Sequence, residues 1–575
     1  MFRIDREKLI CWQDVMAKPV VFVVDDDRKA LELMVKDLED RYRDRYRIIG
    51  LTSARKALEK LQQLKRDNKP VALFLVNQHM REMTGAGFLK HATDLFPSAK
   101  RVFLTSYADA QGGISSLKKV GVDVVLMKPC QPPDENLYPI LDDLLAEWEI
   151  AQKTPTSRSL IIIGYRFSPK SHETRDFLVR QGVAFKWLDI ERHEEARRLL
   201  AAAGLKADRL PVVMFTDGTM LVQPTNEEIA RKIGLHVRPI STSYDLMIVG
   251  AGPAGLAAAV YGSSEGLRTV MMERYAPGGQ AALSSKIENY LGFPAGLSGS
   301  DLARRAVIQA KKFDVEIVTP QLVTRVCVEG LARVVTLNDG STVRSEVILL
   351  ATGIEWRRLE VPGIDRLIGA GVYYGGTLAD AFLCRGEDVY IVGGANSAGQ
   401  AALGFSRYVR TVTLLVRKKT LSESMSYYLI QQIEATPNIR MRLGWEVVEV
   451  HGKERLEAIT IRENSTKQTE TVPTHALFIF IGGLPHTEYL KDVVKTDDHG
   501  FILTGPDLEK LGADGHRPPG WTLDRDPFWL ECSVPGIFAA GDVRHGSGKR
   551  VAASVGEGAT AVLFVHRYLS SNLDL

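Results

Sequence analysis

Short apolar runs alternate with longer stretches of polar, helix-period sequence along most of the chain. Between Lys18 and Ile150 the runs Val20–Val24, Ala72–Val76, Arg101–Thr105 and Val124–Met127 are each followed by helical pattern, which predicts a parallel α/β sandwich over 1–150. Ala151–Arg158, rich in Thr, Ser and Pro, reads as a linker. Ser159–Leu235 predicts a smaller α/β unit. Its strands are Leu160–Gly164, Phe185–Asp189 and Val212–Phe215, with a helix from about His172, a second helix, and a turn at Asp217–Gly218. His236–Ser243 reads as a second linker. From Tyr244 onward the pattern is doubly wound, with two glycine-rich strand–turn–helix signals about 140 residues apart.

Composition narrows the class. At about 100–200 residues per domain, 575 residues predict three to five domains. With 45% hydrophobic and 25% charged residues, wholesale disorder and collagen-like repeats are excluded. Lys plus Arg is 73 and Asp plus Glu is 70, so a net charge of +3 gives no electrostatic reason to expect nucleic acid or an anionic membrane. No apolar run reaches the roughly 20 residues of a membrane span. Met1–Lys18 lacks the apolar core of a secretory signal, so a cytoplasmic protein is expected. The five cysteines (Cys11, Cys130, Cys327, Cys384 and Cys532) are too few and too dispersed for a disulfide framework, and no C-x-x-C pair exists. No metal ligand set is expected.

The first glycine-rich signal is strong. The strand Asp245–Val249 runs into Gly250-Ala251-Gly252-Pro253-Ala254-Gly255 and then the helix Leu256–Ser264. This is G-x-G-x-x-G in a strand–turn–helix context, where the helix N-terminus meets a pyrophosphate. Glu273 ends the next strand, Thr269–Met272, and stands 18 residues after Gly255, where an acid can bind ribose hydroxyls. Further on come Pro277-Gly278-Gly279-Gln280, Ile287-Glu288-Asn289-Tyr290, Gly292-Phe293-Pro294, Leu350-Ala351-Thr352-Gly353 and Gly536–Arg544 with Gly541-Asp542. Lys549-Arg550-Val551-Ala552 and Gly556-Glu557-Gly558-Ala559 complete the set. These ordered motifs resemble the low-molecular-weight thioredoxin reductase family, whose members carry FAD. The resemblance implies that Gly250, Gly252, Pro253, Ala254, Gly255, Glu273, Gly279, Gln280, Asn289, Thr352, Gly353, Gly541, Asp542, Lys549, Arg550 and Val551 bind FAD. It also implies two Rossmann-type domains: an FAD-binding domain over 244–365 and 485–575, and an NADPH-binding domain over 366–484. A homodimer and a rotation between the two domains are implied as well.

The second signal, strand Asp388–Val392 and then Gly393-Gly394-Ala395-Asn396-Ser397-Ala398, has Ala395 where the family has its middle glycine. A methyl there could crowd a pyrophosphate. The following strand, Thr411–Leu415, ends in Val416-Arg417-Lys418-Lys419 with no acid. Cations in place of a ribose-binding carboxylate favour a 2′-phosphate, hence NADPH over NADH. The nicotinamide set is therefore Gly393, Gly394, Asn396, Ser397, Ala398, Arg417, Lys418 and Lys419.

The family's redox C-x-x-C belongs in Val372-Tyr373-Tyr374-Gly375-Gly376-Thr377-Leu378-Ala379-Asp380. One register puts the pair at Gly375 and Leu378, the other at Gly376 and Ala379, and neither holds a cysteine. A dithiol relay is therefore excluded, because the thiolate is the nucleophile. Asp380 matches the family's proton donor and is the one catalytic candidate; a helix cap is the other reading. Cys384 reads first as a buried small residue and second as a mixed-disulfide or persulfide site.

Two more units resemble known folds with their chemistry removed. Residues 159–238 resemble a glutaredoxin or thioredoxin-like domain. Phe167-Ser168-Pro169-Lys170-Ser171 stands where C-P-x-C belongs, Leu210-Pro211-Val212 matches the cis-proline segment, and Gly218–Leu221, Pro224 and Glu228-Ile229 match the domain's end. Residues 1–150 resemble a response-regulator receiver, of flavodoxin-like fold. Asp25, Asp26 and Asp27 match its acidic pair, Met80, Met83 and Gly85 its following run, Thr105 its hydroxyl switch and Lys128-Pro129 its lysine–proline pair. The acceptor position is Asn77, which cannot form an acyl phosphate, and Mg²⁺ would have one carboxylate fewer. Val125 takes the aromatic switch position.

The leading expectation is an NADPH-dependent FAD oxidoreductase whose acceptor meets the flavin directly. That acceptor is unidentified, and protein partners would bind through the receiver-like and thioredoxin-like units. Two alternatives stand: a flavin-bound sensor or signalling scaffold, and a flavoprotein reduced by an external carrier such as ferredoxin.

Overall fold

The computed structural model describes residues 18–67, 69–106, 122–153, 160–215, 217–293, 296–509 and 517–572. Cys11, most of the expected signal-free N-terminus, part of the first linker and Pro294 lie outside the described residues. The chain divides into two compact units, Met1–Ser157 and Arg158–Leu575.

The first unit is a five-stranded parallel sheet of β1 (Val20–Val24), β2 (Arg47–Leu51), β3 (Val71–Asn77), β4 (Lys100–Ser106) and β5 (Val124–Lys128) in the order 2-1-3-4-5. β1 and β3 are apolar and buried along almost their whole length, as strands covered by helices on both faces must be. The edge strand β2 escaped the sequence reading. Its Arg47-Ile48-Ile49-Gly50-Leu51 is only half-buried and carries a weak apolar signal. Helices α1 (Arg28–Tyr42), α2 (Ala54–Arg66), α3 (Gly85–Leu95) and α4 (Tyr138–Lys153) flank the sheet. Asp27 caps α1 and Ser53 caps α2 through side-chain acceptance of backbone N–H groups.

The second unit begins with a four-stranded mixed sheet. β6 (Leu160–Gly164) lies between β7 (Phe185–Asp189), parallel to it, and β8 (Val212–Met214), antiparallel; β9 (Met220–Val222) closes the edge. Helices α5 (Pro169–Arg180), α6 (Glu194–Ala202) and α7 (Asn226–Lys232) complete it. The Leu210–Pro211 peptide is cis, as the resemblance implied.

The flavin-type half centres on β10 (Ser243–Val249). It pairs with β11 (Thr269–Met272), which pairs with β12 (Glu316–Val318), and on its other side with β15 (Thr342–Leu350). β15 continues into the antiparallel β14 (Ala332–Leu337) and β13 (Val323–Glu329), and also pairs with β26 (Ile537–Ala539) from the chain's end. α8 (Pro253–Ser264) and the long α13 (Val551–Asn572) pack closely through small residues. A Cβ on Gly558 would stand 2.1 Å from the Ala254 carbonyl oxygen, so only glycine fits there. α9 (Gly299–Lys312) lies on the same side of the sheet.

The other half is a parallel sheet ordered β17 (Val372–Tyr374), β24 (Leu477–Ile479), β18 (Asp388–Val392), β19 (Thr411–Val416), β20 (Ile439–Leu443). It carries α10 (Leu378–Leu383), α11 (Asn396–Phe405) and α12 (Tyr427–Glu434). It also carries an antiparallel meander of β21 (Trp445–His451), β22 (Ala458–Glu463) and β23 (Thr469–Pro473). The chain crosses between the halves twice. The two crossings pair as the antiparallel ribbon of β16 (Glu355–Trp356) and β25 (Gly483–Leu484). Among the described residues no helix is long and apolar enough to cross a membrane.

Candidate functional site

The first glycine turn ends β10 and opens α8. Gly250 has φ +105°, and a Cβ there would meet the Ala351 carbonyl oxygen at 2.4 Å. Gly255 lies against Gly250, where a Cβ would come within 2.0 Å of the carbonyl oxygen. Gly252 caps α8 with no side chain, and nothing stands within 4 Å of where its Cβ would be. No side chain caps the first turn of α8, the arrangement that receives an anion.

Distant segments converge on this turn. A Cβ on Gly279 (φ +56°) would lie 3.0 Å from the Gly252 Cα, and one on Gly541 (φ +77°) 2.9 Å from the Ala254 Cβ. Thr352 and Gly353 follow the end of β15. Asp542 is half-buried, accepts from Ser554 at 3.3 Å, and burial raises its carboxyl pKa. Lys549 donates to the Asp542 carbonyl at 2.8 Å, and Val551 starts α13. Asn289 and Arg550 are exposed. Three buried polar atoms here, Gln280 Oε1, Thr352 Oγ1 and Ser547 Oγ, have no protein partner. Buried polar atoms are normally satisfied, so a polar group absent from the structure fits this cleft.

Glu273 is engaged by the turn itself. It is buried, and its two oxygens accept the backbone N–H groups of Ala251 and Tyr275, both at 2.8 Å. It braces the turn, with burial raising its pKa.

The second turn is built alike. Gly393 (φ +150°) packs under the Phe480 carbonyl, and Gly394 lies against Val416. Ala395 caps α11 in extended conformation with its methyl exposed, so the fold itself tolerates the substitution. Asn396 accepts the Ser426 N–H at 2.7 Å, Ser397 is exposed and Ala398 buried. Arg417, Lys418 and Lys419 are exposed at the end of β19, where the first motif has the buried Glu273; Lys418 pairs with Glu423 at 2.9 Å. An uncapped helix start beside three cations is a donor set for a phosphorylated ribose.

Aromatic rings lie against the segment where the family's disulfide would stand. A Cβ on Gly376 would meet the Phe478 ring at 2.9 Å and the Phe405 ring at 3.0 Å. Gly375 has φ +75°, and a Cβ there would lie 3.0 Å from the Trp356 Nε1. Phe405 and Phe478 pack edge to face at 4.6 Å, and Tyr373 stacks on Phe478 at 5.2 Å. No sequence signal connects these rings, because they come from β16, β17, α11 and β24.

Asp380 forms a capping box with Thr377 and a buried ion pair, 2.7 Å long, with Arg175 of α5. Burial pushes its carboxyl pKa up, but Arg175 and His172 bring it below the ordinary value. The cap reading is what the geometry shows. Cys384 is buried, with burial pushing its thiol up to about 12, and it accepts from Arg166 at 3.4 Å. It is an inert thiol at neutral pH.

In the β6–β9 unit Ser168 and Ser171 both serve the backbone. Ser168 caps α5, accepting the Ser171 N–H, and Ser171 Oγ accepts from the Tyr165 N–H. In the receiver-type unit the three acids separate. Asp25 pairs with Lys128 at 2.7 Å, Asp26 accepts from the Asn77 amide at 3.3 Å, and Asp27 caps α1. Thr105 donates to Gln78.

Two Rossmann-type turns in halves joined by a two-stranded ribbon define a two-dinucleotide oxidoreductase. Residues 244–558 match the pyridine nucleotide-disulphide oxidoreductase family, and the chain belongs to it. It is thus an FAD-dependent oxidoreductase of a class that uses FAD and NADPH. Residues 21–136 match the response regulator receiver domain. A thioredoxin reductase of Streptomyces clavuligerus is 30% identical over 331 residues, 57% of this chain and 95% of that protein. The alkyl hydroperoxide reductase F protein of Staphylococcus epidermidis is 28% identical over 380 residues, 66% of this chain and 69% of its own length. Among solved structures, the Lactococcus lactis thioredoxin reductase superposes with TM-score 0.50 at 26% identity, covering 57% of this chain and 99% of that one.

Proposed function

We propose that this chain passes hydride from NADPH to FAD and delivers the electrons to an acceptor without an internal dithiol. The carrying observation is the segment Val372–Asp380, which holds no cysteine in either register and whose Gly375 and Gly376 lie against Trp356, Phe405 and Phe478. FAD supplies hydride acceptance and onward transfer in one or two electrons.

The chain's residues hold and orient the groups. Gly250, Gly252, Pro253, Ala254 and Gly255 with the α8 N-terminus would hold the FAD pyrophosphate, and Glu273 would shape that turn. Gly279, Gln280, Asn289, Thr352, Gly353, Gly541, Asp542, Lys549, Arg550 and Val551 would line the rest. Gln280, Thr352 and Ser547 offer the buried polar atoms that a bound group would satisfy. Gly393, Gly394, Asn396, Ser397 and Ala398 would hold NADPH, with Arg417, Lys418 and Lys419 at its 2′-phosphate. Asp380 holds its charge against Arg175 and stays out of proton transfer. The β6–β9 unit is read as a thioredoxin-like domain without redox chemistry, and a homodimer belongs to the same reading.

Anaerobic stopped-flow absorbance tests this. NADPH should bleach the flavin quickly and NADH more slowly, and replacing Arg417, Lys418 and Lys419 by Gln should erase the difference. No bleaching by either nucleotide would refute the donor assignment. The intact acid–lysine pocket around Asn77 favours one second reading, a sensor whose receiver-type unit contacts proteins. Stoichiometric reduction without turnover on any acceptor would favour that reading.

A further inference from the structure

The stretch 160–238 is attached to both halves of the flavoprotein. Toward the pyridine-nucleotide half it presents the loop after β6 and the start of α5. Arg166 grips Glu387 with both guanidinium ends at 2.6 Å and reaches Cys384 Sγ. Arg175 meets Asp380 at 2.7 Å, with side-chain exposures of 4% and 8%. The His172 ring lies 4.8 Å from Tyr373, Phe167 packs near His475 under Arg455, and Pro169 abuts Gly369.

Toward the flavin half the attachments are different. Gln181 donates to the Tyr275 carbonyl at 2.8 Å. The second linker, His236–Ser243, is held by hydrogen bonds. The His236 carbonyl accepts the Thr319 N–H at 2.8 Å, the Val237 carbonyl accepts the Gln321 amide at 2.6 Å, and the Ile240 N–H donates to Glu316 at 2.6 Å. Direct polar links between the halves, outside the ribbon, include Ser285 with Gln400 at 3.1 Å and Gln432 with Glu288 at 3.4 Å.

We propose that residues 160–238 act as a strap that fixes the two dinucleotide halves in one relative placement, in place of the rotation that the resemblance implies, locked by Arg166–Glu387 and Arg175–Asp380. Exposed ion pairs hold little, because water and salt compete for both partners. These two differ: Arg166 holds the partly buried Glu387 through two hydrogen bonds, and Arg175–Asp380 is buried on both sides. A slide of an ångström or so leaves a charge dry and unpaired, so the interface has one register. The two serines at the thiol positions fit this role. They are spent on capping α5 and presenting Arg175, on a face that is covered by the chain's own α10 and needs no thiol.

The test is hydrogen–deuterium exchange by mass spectrometry on the full, FAD-loaded chain. It compares wild type with Arg166→Met/Glu387→Gln/Arg175→Met/Asp380→Asn, which removes both pairs without leaving a buried charge. A strap predicts exchange about tenfold faster both in α10 and in the ribbon β16–β25 that joins the halves, with β10 unchanged. Faster exchange confined to α5 and α10, with the ribbon as protected as in wild type, would overturn the proposal. If the fourfold variant does not retain flavin, Arg175→Met/Asp380→Asn alone is measured. The ribbon should then exchange about threefold faster, and an unchanged ribbon again overturns the proposal.

Discussion

At Asn77 a carboxamide stands among neighbours that a phosphorylation site would keep. Asp25 and Asp26 remain, and Lys128 reaches in on the Asp25 carboxylate. In the segment Val372–Asp380 no cysteine stands in either register, Gly375 and Gly376 lie against the rings of Trp356, Phe405 and Phe478, and Asp380 stays on as a helix cap. The first site has lost one atom's chemistry and kept its shape. The second has been repacked. The difference teaches that a missing catalytic residue says little until its neighbours are seen. A vacated polar pocket remains one substitution from function, and a vacated space in a core closes, because interiors are close-packed.

Phe478→Ala tests that contrast most severely. The ring is fully buried against Tyr373 and Phe405, so its loss should cost about 3–5 kcal/mol, read from denaturant unfolding of the second unit. A cost under about 1 kcal/mol would mean the rings are not a packed core there. Next comes Gly376→Cys/Ala379→Cys, which restores a C-x-x-C spacing. It should lose about 1–3 kcal/mol through overpacking. It should also gain no NADPH-dependent reduction of thioredoxin or of an aromatic disulfide. Recovery of that activity would erase the distinction between the two sites.

Asn77→Asp should be milder, within about 1 kcal/mol of wild type, and it should restore chemistry. Incubated with acetyl phosphate and Mg²⁺, the variant should become phosphorylated and wild type should not, as a phosphate-affinity gel would show. No modification of the variant would mean the acids around Asn77 have drifted further than the geometry suggests.

The smallest effect concerns pH. Burial pushes Asp380 and Glu387 up, but Arg175 with His172, and Arg166 with Arg192, bring both below ordinary carboxylate values. A carboxylate with a folded pKa below its unfolded one contributes fully above the unfolded value. That contribution is lost as pH falls through the folded pKa. Stability of the second unit should therefore fall between about pH 5 and pH 3, measured as denaturant midpoints. Arg175→Met/Asp380→Asn should fall less steeply. Equal slopes would remove the pair from the account of this site.

Legibility from sequence followed the range of the interactions. β1, β6, β11 and β18 stand where the apolar runs put them, because a strand's burial is written in consecutive residues. Both glycine turns were readable, since φ and Cβ clearance are properties of the residue itself. β2 was missed because an edge strand needs little apolar sequence. That Glu273 braces the turn is revealed only by the positions of Ala251 and Tyr275.

The sequence by itself determined that dithiol chemistry is absent. No folding can supply a thiol at Gly376, Ala379, Ser168 or Ser171, since a nucleophile is a matter of composition. It likewise determined the two dinucleotide turns. Only the tertiary structure decided what replaced the thiols. Arg166 and Arg175 meet carboxylates more than 200 positions away, and Gly375 and Gly376 meet rings from three other elements. Such contacts depend on how separate layers pack in space, and the order of residues along one segment carries no record of them.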